Sequence, residues 1–169
     1  AVSLALSYPK MQIYLFRKHY AELLRNHMDG PNGFRVLLDA FLKSGYCRIT
    51  GSPPVIRFRN GSAIFLCHCQ YERDVMKYQG VEIHALLIDE LTHFSEPVYR
   101  SLRARCRVPS ELKRFTPPPR LPLILCGANP GGPGHNWVKA SFIDFAVPLE
   151  IRRMPKTEGG MLRQYIPAR

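Results

Sequence analysis

Residues 84–94 read HALLIDELTHF. Ala85 to Ile88 form an unbroken apolar run, and two adjacent acids, Asp89 and Glu90, follow directly. A strand apolar on both faces belongs in the interior of a parallel sheet. Strand propensity does not favour two carboxylates at its end. Like charges side by side repel unless something positive, such as a metal ion, lies beside them. The spacing therefore predicts a buried parallel strand that delivers two acids to a site.

Working outward, the strand recurs. MQIYLFR, residues 11–17, and LPLILCGAN, residues 121–129, also read as strands by their shortness and apolar content. Residues 55–69, VIRFRNGSAIFLCHC, form two strands about an Asn60–Gly61 turn. In the first of these, Ile56 and Phe58 alternate with Arg57 and Arg59, so one face is basic and wet. Helices are expected over 1–8, stopped by Pro9; over 18–28; over 33–44, ended by Gly45; and over 72–78. Ser95 caps a helix over 95–107 with Pro97 in its first turn. RFTPPPR, 114–120, is a linker, WVKASFIDF, 137–145, a helix, and RQYIPAR, 163–169, a further strand. Alternating strands and helices predict an α/β domain: a mainly parallel sheet flanked by helices, with an antiparallel hairpin insertion.

The totals agree with one globular domain. The chain has 169 residues, of which 46% are hydrophobic, and a net charge of +11. That excess favours a polyanionic partner, most often nucleic acid. Five cysteines at irregular spacing are a poor disulfide framework and point to a reducing, cytosolic setting. Cys67 and Cys69 face one side of a strand and His68 the other, which suits buried thiols better than zinc. No apolar run approaches the roughly 20 residues a membrane helix needs.

Ligands bind at the carboxyl ends of parallel strands. Asp89, Glu90, Arg17 and Asn129 all lie at such ends. An apolar strand ending in Asp-Glu has the pattern of a Walker B segment. There Asp89 holds Mg²⁺ through water, and Glu90 polarises the water that attacks the γ-phosphate of ATP. Asn129, at the end of the neighbouring strand, is placed to sense that phosphate. After it come Gly131, Gly132 and Gly134 interleaved with Pro130 and Pro133, a density of backbone-permissive and stiffening residues beyond an ordinary turn.

DELTHFSEPVYRSLRARCR (89–107) and GANPGGPGHNWVKASFID (127–144) together closely resemble the large terminase subunits of tailed bacteriophages. YLFRKHYAEL (14–23) and YQGVEIHALLIDE (78–90) extend the resemblance over nearly the whole chain. It implies a P-loop NTPase-like (ASCE) sheet and an Mg²⁺-dependent ATPase that drives viral double-stranded DNA into the prohead. It further implies a ring-forming homo-oligomer, portal and small terminase subunits as partners, and the cytoplasm of the infected host as the setting. In such a ring Arg105 or Arg107 is the candidate to complete a neighbour's site, with Arg73 a rival. Arg17 is expected to reach the phosphates or to hold the sheet edge, and His135 to contact phosphate or orient its loop.

The departures from the family are specific. No G-x-x-x-x-G-K-[ST] occurs in the 169 residues. Residues 1–169 are therefore expected to be a partial ATPase domain, with the Walker A strand and loop upstream and a nuclease domain downstream. Ala128 stands where many relatives carry Thr or Ser, which weakens hydroxyl-based coupling. Two other readings compete. One is a DNA-binding or assembly module without turnover. The other is a DEAD-like helicase fragment, disfavoured because Thr92 occupies the fourth position of the box and no Ser-Ala-Thr follows.

Overall fold

The computed structural model describes residues 1–108, 110–115 and 121–167. The strands are β1 (Gln12–Arg17), β2 (Cys47–Thr50), β3 (Val55–Phe58), β4 (Ala63–His68), β5 (Ala85–Ile88), β6 (Leu123–Cys126), β7 (Arg152–Arg153) and β8 (Leu162–Arg163). Among the described residues, the first six form one sheet in the order β2-β3-β4-β1-β5-β6. β4, β1, β5 and β6 run parallel, while β2 and β3 are antiparallel. The expected core is present: the Asp-Glu strand β5 lies between β1 and β6, all three parallel.

Burial explains the order. Ile13, Tyr14, Leu15 and Phe16 of β1 are all buried, as a strand flanked on both edges and covered on both faces requires. One layer packs Ile13, Leu15, Ile64, Leu66, Ile56 and Phe58. It is covered by α1 (Val2–Ser7), by α2 (Tyr20–Leu23), which continues as a wider π turn over Leu24–Met28, and by α3 (Phe34–Leu37) and α4 (Asp39–Lys43). The other layer packs Phe16, Leu86 and Ile88 against α5 (Glu96–Arg103) and α6 (His135–Val138). Val98, Tyr99 and Leu102 form the buried stripe of α5.

Several details differ from expectation. β2 emerges from a stretch with no hairpin signal of its own; Cys47 and Ile49 are drawn in by Phe58 and Ile56 opposite. β4 is the expected hairpin arm, antiparallel to β3, but it is also a central strand paired parallel to β1, because it is apolar on both faces. The strand begins at Ala85, with Ile83 making only an isolated bridge to Cys106. Ser95 occupies the cap position of α5, yet its hydroxyl is buried without a partner and caps nothing. α6 changes to a π turn over Lys139–Ile143. The final strand is only the two residues of β8, paired with β7 outside the main sheet. Residues 164–167 are not strand, and 168–169 and most of the Pro-rich linker lie outside the described residues.

The small β7–β8 ribbon is pinned to α5. Arg100 and Arg103 both reach Glu158, at 3.1 and 3.6 Å, and Arg100 also bonds Glu96 at 2.8 Å. These two members of the Arg-rich helix end are thus structural.

Candidate functional site

β5 ends where the chain turns sharply. The Asp89 N–H donates to the Phe16 carbonyl at 2.9 Å, which extends the ladder one residue and sets Asp89 beside Arg17. Glu90 then adopts the left-handed conformation, φ 56 and ψ 57. A non-glycine residue there costs on the order of 1–3 kcal/mol, and such outliers cluster at functional sites. The turn is held because the Leu91 N–H donates to the Gly127 carbonyl at 2.8 Å.

The reversal separates the two acids. Asp89 Oδ2 accepts from Arg17 and lies 2.8 Å from His27 Nε2. Glu90 Oε1 accepts from Asn129 Nδ2 at 3.0 Å. Adjacent carboxylates are tolerable because each has its own donor. Arg17, at the end of β1, is also bonded to Glu22 of α2 at 3.0 Å, so it sits between two acids. The hydrogen bond from His27 and the Arg17 charge hold the Asp89 carboxyl below the ordinary carboxylate range, against partial burial. Asp89 Oδ1 has no protein partner among the described residues and faces Gly127.

A depressed folded pKa stabilises the fold above the unfolded value, and that contribution is lost as pH falls through the folded pKa. Asp89→Asn should therefore cost stability at neutral pH, and the difference from wild type should vanish in acid. Denaturant titrations over a pH series check this; a difference that persists unchanged into acid would refute it.

The glycine-rich loop is built backbone to backbone on this turn. The Gly134 N–H donates to the Thr92 carbonyl at 2.7 Å, and Thr92 Oγ1 donates to the Asn129 carbonyl at 3.0 Å. Gly132 has φ +79, and a Cβ there would lie 2.7 Å from the Thr92 carbonyl oxygen. His135 Nδ1 accepts from the Gly131 N–H at 3.2 Å, so His135 orients the loop. Trp137 donates to the Phe94 carbonyl at 2.9 Å and stacks on Tyr99. The sheet thus brings Asp89, Glu90, Asn129 and Arg17 to one end, with His135 in the adjoining loop.

Arg105 and Arg107 do not join them. Both bond Ile83 through their backbones, at the amino end of β5. That is roughly 20 Å from the acids at strand rise. The Arg105 guanidinium is taken up by the Tyr78 and Ser101 carbonyls, while Arg107 is exposed. Arg73 is exposed and lies over the Tyr71 ring.

The residues the motif missed are His27 and Glu22. They come from the helix after β1, and nothing in their spacing to Asp89 announces a contact. Cys67 and Cys69 are buried, and burial pushes their thiols up to about 12, so they stay protonated and inert. Among the described residues no group of three or more His, Cys, Asp or Glu is placed to hold a metal. Beside β6 runs a cleft of about 380 Å³, from Asn129 past Leu125 to Arg163.

The structure superposes on the large terminase of a thermophilic bacteriophage with a TM-score of 0.56, at 22% identity, covering 85% of this chain and 32% of that one. A further crystal form of that terminase, in complex with ADP, matches with a TM-score of 0.54 at the same identity and coverage. No protein-family model matches the sequence, and no curated protein is significantly similar to it. At this identity the likeness establishes the fold: a terminase-like α/β unit. The chain spans about a third of the length of those terminases. Among the described residues no helix is long and apolar enough to cross a membrane.

Proposed function

We propose that this chain is part of the ATP-hydrolysing motor of a phage large terminase, which moves viral double-stranded DNA into a prohead. The observation that supports this most is the convergence of Asp89, Glu90 and Asn129 at the carboxyl end of adjacent parallel strands on a terminase-like fold. On this reading Glu90 takes the proton of the attacking water. Asn129, now bonded to Glu90, has a second acceptor to choose once a γ-phosphate arrives, which couples nucleotide state to the base. Arg17 and His27 fix Asp89 with one carboxylate oxygen left over. One such oxygen suits hydrated Mg²⁺, which keeps several waters and takes few carboxylates. When bound, that ion would neutralise charge on the β- and γ-phosphates. Of the two arginines at the far end of the sheet, exposed Arg107 is the one left to complete a neighbouring copy's site in a ring, since the Arg105 guanidinium is held by the Tyr78 and Ser101 carbonyls. The portal, the small terminase subunit and the host cytoplasm follow from the same reading.

A second reading is a DNA-binding or assembly module without turnover. The absence of a phosphate-loop motif from the 169 residues favours it for the chain taken alone. ATP hydrolysis measured on the chain alone, and on a form preceded by a phosphate loop, decides. The motor reading expects turnover only in the second. No turnover in either, with DNA binding intact, would establish the module instead.

A further inference from the structure

The ribbon formed by β2 and β3 has one covered and one bare face. Cys47, Ile56 and Phe58 point into the core. The opposite face extends beyond β4, and no residue of β2 or β3 joins the layer packed under α5 and α6. On this bare face Arg48 stands directly opposite Arg57 in the antiparallel register, and both are exposed. Arg59, just past the end of β3, is also exposed, its guanidinium lying over the Gly45 turn that leads into β2. Among the described residues none of the three is paired with an acid.

Like charges opposite one another in a sheet are destabilising, with side-chain origins about 5 Å apart. Here no carboxylate relieves them. The geometry also holds the group in place. The Arg57 guanidinium lies 6.0 Å from the Phe65 ring centroid, and Phe65 is itself stacked on Tyr14 at 4.4 Å. Arg57 in β3 and Arg59 just beyond it are two residues apart, about 7 Å at strand rise. Three exposed guanidinium forks on and beside one ribbon suit a row of phosphate oxygens, for which arginine has matched bidentate geometry.

We propose that the bare face of the β2–β3 ribbon, through Arg48, Arg57 and Arg59, docks the phosphate backbone of duplex DNA. The proposal rests on the DNA-motor reading above and names its contact surface; the ribbon is on the opposite side of β1 from β5 and its acids.

The test is anisotropy of a labelled duplex across a salt titration with three proteins. These are the wild-type chain, Arg48→Gln/Arg57→Gln/Arg59→Gln, and Lys113→Gln/Arg114→Gln/Lys156→Gln. The last removes the same charge from exposed positions elsewhere. The ribbon variant should bind about tenfold or more weakly at low salt. Its log–log salt slope should fall by about 0.9 for each arginine that meets a phosphate. The second variant should stay close to wild type. Equal losses in both variants would make net charge the cause and overturn the surface. So would a preference of the ribbon for anionic lipid vesicles over duplex. The ribbon variant should melt no lower than wild type, since the removed charges repel one another; a large drop would mark the arginines as structural and also overturn it. Failure of the wild type to bind duplex would sink this proposal, while the hydrolysis measurement above judges the nucleotide site separately.

Discussion

Glu90→Gln, in a form of the protein that carries a phosphate loop, should bind ATP as tightly as wild type and hydrolyse it about 10²–10⁴-fold more slowly. The substitution is nearly isosteric. A glutamine Oε1 can still accept from Asn129 Nδ2, whose bond to Glu90 is 3.0 Å, so the loop keeps its anchor. The left-handed turn at this residue is held by Leu91 bonding the Gly127 carbonyl, which the change does not touch. What disappears is the ability to take a proton from water. Single-turnover hydrolysis beside nucleotide binding separates the two effects. Wild-type turnover would remove Glu90 from the role of base. Weakened binding with an unchanged chemical step would make it a ligand instead.

The second large effect concerns the edge of the sheet. β6 pairs with β5 on one side only, and among the described residues no strand pairs its other edge, which faces the cleft. Leu123 and Gly127 turn their N–H groups toward β5, which leaves those of Ile124 and Cys126 facing outward. Leu125 is 59% exposed in the middle of this edge, and the cleft beside it carries exposed Ile143 and Ile166. An unpaired apolar edge recruits another strand. The chain as given should therefore self-associate as its concentration rises, and Leu125→Lys should shift it toward monomer. A charge on an edge is a common block to strand addition, and an exposed position accepts it without disturbing the core. Sedimentation velocity over a concentration series reads this directly. A wild-type chain that stays monomeric at high concentration would show that the edge is protected.

Much of the site was legible in HALLIDELTHF and in the loop after Asn129. Short apolar runs ending in acids, in arginine or in a glycine turn suit parallel strands with their polar ends together. That pattern marked β1, β5 and β6 and the end at which Asp89, Glu90 and Asn129 meet, while their order came from the resemblance to large terminases. The alternation of strands and helices likewise pointed to the α/β fold, and the composition to its basic charge. Local pattern could not reach contacts across the sheet. His27 meets Asp89 because α2 returns over the end of β1, an outcome of packing that no spacing encodes. The same holds for β2. Its strand character comes from Phe58 and Ile56 opposite, since a short strand gains its stability from cross-strand partners. Arg105 was a candidate to complete a neighbour's site, and only the packing shows that within its own chain its guanidinium bonds the Tyr78 and Ser101 carbonyls. Sequence determined which strands exist and which ends are polar. Only the tertiary structure decided which side chains from separate elements share an atom's reach, because those distances depend on how the helices lie across the sheet.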